Sequence, residues 1–103
     1  MELRDAFARS LKELREAQQL TQEDFDGVSS RTYISMLERK ERSPTLDKLG
    51  QLATILDVHP LTILALTYMK VQGHQDPGVL MNRVVAELTK LRRNKPGSSR
   101  RSR

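Results

Sequence analysis

Arg31, Thr32, Ser35 and Met36 fall along one side of a short helical stretch, and each carries a group that the edge of a base pair can meet. A guanidinium at the N-terminal end of such a helix can make a bidentate contact to guanine worth roughly 1 to 3 kcal/mol of discrimination. Thr32 and Ser35 offer hydroxyls to bases or a contact to a thymine methyl, and Met36, one turn beyond Thr32, offers an apolar contact. Around them Gln22, Ser30, Tyr33, Arg39, Lys40 and Arg42 suit phosphate oxygens, which fix position without reading sequence. Plainer roles stand beside these: Arg31 and Met36 as ordinary helix-surface residues, Tyr33 as the edge of a core.

Side chains can read a groove only when rigid elements hold them, and the stretch TQEDFDGVSSRTYISMLERKERSP, Thr21 to Pro44, supplies a plan for two short helices across a tight turn. Thr21 stands where an N-cap belongs, with Asp24 in the first turn behind it, and Phe25 anchors this second helix. Gly27 marks the turn and Val28 is expected to plug the core. Ser29 or Ser30 caps a third helix through Arg31 to Arg39, with Ile34 and Leu37 inward.

Before this unit, Leu3, Phe7, Leu11 and Leu14 recur at four, four and three, the signature of an amphipathic first helix ending near Gln18 or Gln19. After it, Pro44 breaks the chain and Thr45 caps a fourth helix to about Leu56, with Leu46, Leu49, Leu52, Ala53 and Leu56 expected in the core. Pro60 opens a fifth helix that is apolar nearly all round, so that a second surface must cover it. A last helix carries Met81, Val84, Leu88 and Leu91 at three, four and three, about two heptads and short for a coiled coil, so it packs on the fifth helix, dimerises, or does both.

Composition narrows the function classes. The 103 residues suffice for one compact domain, cysteine is absent, and His59 and His74 are far apart, which leaves no metal-ligand spacing and suits a reducing cytoplasm. No apolar run approaches the roughly 18 residues of a membrane span, and the charged N-terminus lacks a signal-peptide core. No carboxylate pair, activated nucleophile or glycine-rich phosphate loop appears, so an enzyme is not expected. The net charge of +5 is uneven: residues 92–103 hold six basic residues and no acids, while residues 1–91 hold 12 basic and 13 acidic. Any polyanion-binding surface on the folded part is therefore local, and Arg31, Arg39, Lys40 and Arg42 are its candidates.

In order and spacing, LKELREAQQLTQEDF, SRTYISMLER and SPTLDKLGQLATILDVHPLTIL resemble the helix-turn-helix domain of the lambda repressor, Cro and Xre regulators, from about Phe7 to Leu66. The resemblance implies that the helix beginning at Ser30 is the recognition helix, that Gln22 touches a phosphate, and that Arg15 pairs with Glu38 inside the domain. Two departures stand out. The segment between Phe25 and Ile34 is about two residues short of the family pattern, and Lys40 occupies a place where the family commonly has glycine.

The expected architecture is all-α: a five-helix lambda-repressor-like domain over residues 1–71, an additional C-terminal helix over 72–94, and a disordered basic tail over 95–103. The expected function is that of a cytoplasmic, cofactor-free, sequence-specific regulator of transcription that binds double-stranded DNA, a homodimer on a palindromic operator. Leu66, Met69, Met81, Val84, Leu88 and Leu91 would form the dimer interface. The alternative is an antitoxin-type interaction module that grips a partner protein and binds DNA secondarily. The residues after the fifth helix are too few for a ligand-sensing domain, so regulation would work through abundance, dimerisation or a partner.

Overall fold

The computed structural model describes residues 1–27 and 29–93, and these form five α-helices and one 3-10 turn, with no strand among them. The helices are α1 (Leu3–Ala17), α2 (Arg31–Glu38), α3 (Leu46–Leu56), α4 (Pro60–Gln72) and α5 (Pro77–Arg93); the 3-10 turn is Gln22–Phe25. The turn replaces the α-helix expected after Thr21. The Asp24 carboxylate accepts from the Thr21 backbone N–H at 2.7 Å and from its hydroxyl at 3.2 Å, which closes the start, and Gly27, at φ +94°, reverses the chain two residues after Phe25. Between these fixed points there is room for one tight turn and no more. Val28, expected as a core plug, and the tail over 95–103 lie outside the described residues.

Capping follows the sequence closely. Ser30 accepts from the Tyr33 N–H at 3.0 Å, Thr45 from the Lys48 N–H at 3.1 Å, and the His59 ring nitrogen Nδ1 from the Leu61 N–H at 2.9 Å, which makes His59 a helix-start residue ahead of Pro60. The ends of α1 to α4 share another device. Gln19, Lys40, Asp57 and Gly73 all take positive φ, and the next residue's N–H reaches back five positions, as from Glu41 to the Met36 carbonyl at 2.9 Å. Three of the four are not glycine. Each of those accepts a left-handed cost of about 1 kcal/mol.

Around one core, Phe7 and Leu11 of α1 meet Phe25, Ile34 and Leu37, Leu49, Leu52 and Leu56 of α3, and Ile63 of α4, all buried. The helices α3 and α4 meet at a bend of 103°. Two residues expected inside are not. Leu46 is 83% exposed and Leu3 48% exposed, because each stands at the first residue of its helix, beyond the last neighbour that could cover it. They flank a groove of about 140 Å³ floored by Phe7, Leu49 and Leu64.

The nearly all-apolar α4 is covered on one side by α1 and on another by the first half of α5, where Leu80, Met81 and Val84 face Leu61, Leu64, Ala65 and Tyr68. Beyond Val84 the cover ends: Val85, Leu88 and Leu91 of α5 are 56%, 56% and 66% exposed. No single helix among the described residues is long and apolar enough to cross a membrane.

Candidate nucleic-acid interface

The core residues Ile34 and Leu37 pin the inner face of α2, and the helical period then forces Arg31, Thr32 and Ser35 outward. Together with Gln22 and Arg39 they line a shallow polar depression of about 280 Å³. The Ser30 cap fixes where the helix starts and hence the height at which Arg31 projects. In that cap the Ser30 hydroxyl oxygen accepts, and its O–H is not used. Met36 is half-buried and lies outside this depression.

Behind the face sits the ion pair that sets its orientation. Arg15 of α1 donates from Nε to Glu38 Oε2 at 2.7 Å and from Nη2 to Glu38 Oε1 at 3.0 Å, and its Nη1 donates to the Leu20 carbonyl at 2.9 Å. The two side chains retain 12% and 6% of their exposure. These bonds outweigh burial and hold the Arg15 guanidinium above its ordinary pKa. Gln22 joins the cluster by donating to Glu38 Oε1 at 3.1 Å, so α1, the 3-10 turn and α2 are tied at one carboxylate.

The remaining predicted contacts divide. Tyr33 is half-buried on the core, with the Lys48 ammonium 5.6 Å from its ring centroid. Lys40 turns towards α1, with Nζ 3.6 Å from Asp5 Oδ1. Burial works to raise the Asp5 carboxyl, yet the hydrogen bond and charge of Arg9, with Lys40 behind them, hold it below the usual range. Arg42 is exposed beyond the end of α2.

Sequence reasoning did not pair the arginines of this face with acids. Glu23 Oε2 accepts from Arg31 Nη1 at 2.9 Å. Glu41 accepts from Arg39 through both fork nitrogens, at 2.8 and 3.2 Å, and Arg39 Nη1 also bonds to Ser35 Oγ. The hydrogen bond to Arg39 is the main cause that lowers the Glu41 pKa, and the same pairing raises that of Arg39. Eight residues separate Glu23 from Arg31, and only the reversal at Gly27 brings them together; no helical spacing signals the pair.

The dimer candidates do not form one surface within the chain. Met81 and Val84 line the α4–α5 groove, whereas Leu66 and Met69 line a separate cleft with Met1, Arg9 and Glu13 of the N-terminal region. Leu88 and Leu91 stand free of both.

An α-helix capped by Ser30, set against a preceding turn by one buried carboxylate and presenting polar side chains outward, is the geometry of a helix that enters a DNA groove. The family model of helix-turn-helix domains matches residues 11–63, which run from Leu11 in α1 to Ile63 in α4 and enclose the whole interface. The chain belongs to the helix-turn-helix family. No curated protein and no solved structure matches it. As a member of the lambda repressor, Cro and Xre type of helix-turn-helix proteins it is a DNA-binding regulator, and that family is regulatory and not enzymatic. Its variation here is the compressed first half of the motif, a 3-10 turn where the pattern led us to expect an α-helix.

Proposed function

We propose that the protein is a sequence-specific regulator of transcription that binds a palindromic operator as a homodimer, with α2 as the recognition helix. The observation that carries this reading is the convergence of Arg31, Thr32, Ser35, Gln22 and Arg39 on one face, with Arg15 and Glu38 fixing α2 behind it. In it Arg31, Thr32 and Ser35 read base edges, with Met36 at the rim, and Gln22, Ser30, Tyr33, Arg39, Lys40 and Arg42 are the phosphate-facing set. The exposed stripe of Leu88 and Leu91 supports a second copy on α5, since a two-fold interface sets the same apolar patch of each copy against the other and removes both from water. Two recognition helices about 34 Å apart would then read half-sites one turn apart.

Selection of bound duplexes from a random library tests the whole reading: an enriched inverted repeat is the expected product, and no enrichment sinks it. The same duplex then assigns the basic residues of 95–103. Deleting them should flatten the salt dependence of binding, and an unchanged slope would show that they stay off the DNA. Light scattering separates the rival interaction-module reading, for which a monomer with its apolar groove open would be the favourable result.

A further inference from the structure

Resting on the reading of α2 as the recognition helix, we propose that Glu23 is a specificity-determining residue that positions Arg31 for guanine and withholds it from phosphate. The two arginines of the face are held differently. Arg39 gives Nε and Nη2, its fork edge, to Glu41, and one N–H of Nη1 to Ser35, so that edge is already taken. Among the described residues Arg31 gives only Nη1, to Glu23, so its Nε and Nη2 edge, two parallel N–H groups, is not taken by a protein acceptor. That edge fits guanine O6 and N7.

A carboxylate 2.9 Å from the guanidinium has two effects. It restricts a long side chain that otherwise samples many rotamers, so less ordering remains to be done when the base is met. It also repels any phosphate that would take the same arginine, while a neutral base edge suffers no such repulsion. Both side chains are about two-thirds exposed, at 65% and 62%, so the pair contributes little to folding. Its value lies in the choice of partner.

The test compares the wild type, Glu23→Gln and Glu23→Ala on two duplexes of equal length, one recovered from the random library and one of random sequence. Both variants should bind the random duplex several-fold more tightly, with a log–log salt slope steeper by about 0.9, the mark of one added phosphate contact. The preference for the selected duplex should fall about fivefold or more. In an Arg31→Ala background the same changes should leave the preference where Arg31→Ala alone puts it. A preference unchanged by both variants overturns the proposal, as does an equal fall without Arg31, which would mean that Glu23 meets a base directly. A wild-type chain that enriches no sequence overturns instead the reading on which the proposal rests.

Discussion

Arg31 and Glu38 show what a single side chain can be asked to do on the two sides of one short helix. Arg31 points away from the core with its fork edge open, so Arg31→Ala should cost about 1 to 3 kcal/mol on the selected duplex and distinctly less on random DNA. Equal loss on both, measured by titration at one salt concentration, would make it a phosphate contact. Glu38 points inward and holds Arg15 and Gln22 at once. Glu38→Gln leaves a largely buried guanidinium without its charge partner and should lower stability by about 3 kcal/mol in urea unfolding, the bottom of the range because the Leu20 carbonyl still holds one nitrogen. A loss under about 1 kcal/mol would show that the pair is structurally idle. The positive residues of this face were legible in the sequence because each has a type suited to DNA. The Glu23 partner of Arg31 was not, since the two are neighbours only through the chain reversal at Gly27.

Elements whose pattern repeats over several turns were the legible part of the fold. The stripes of α1 and α3, the caps at Ser30 and Thr45 and the start of α4 at Pro60 follow directly from period and residue type. What the pattern misses is position at an element's end: Leu46 carries the right period and the wrong place, with no turn before it to close over its side chain. The 3-10 form of the second helix was illegible for a related reason, since five residues between a cap and a reversing glycine cannot show any period at all. Within α1 lies an untidy detail with a measurable cost. Ser10 is fully buried and its hydroxyl has no partner among the described residues. Ser10→Ala should therefore raise the unfolding midpoint, by an amount equivalent to about 1 kcal/mol, by removing an unpaid desolvation and a weaker helix former together. A fall in the midpoint would mean that the hydroxyl is satisfied in solution.

For the whole molecule, the proposed dimer would use a surface that folding does not. The core that joins α1 to α4 makes no use of Leu88 and Leu91, so replacing both with lysine should leave the unfolding of the monomer unchanged and abolish the proposed dimer, with light scattering as the measurement. A persistent dimer would move the interface elsewhere, for which the cleft at Leu66 and Met69 is the next candidate. Charge is divided in the same way. The proposed recognition face pairs its arginines with acids, so in that reading long-range attraction to DNA would fall to the basic residues after position 91 and discrimination to α2.

The partial docking of α5 also sets a clock on that helix. Residues 85–93 extend for about 13 Å past Val84, and among the described residues they are held by their own backbone bonds and an exposed Arg83–Glu87 pair. An unsupported helical end of that length frays on its own. In the isolated monomer the protection of its amides against deuterium exchange should decay steadily from Val84 to Arg93, and joining a second copy should lift the far end to the level of the near one.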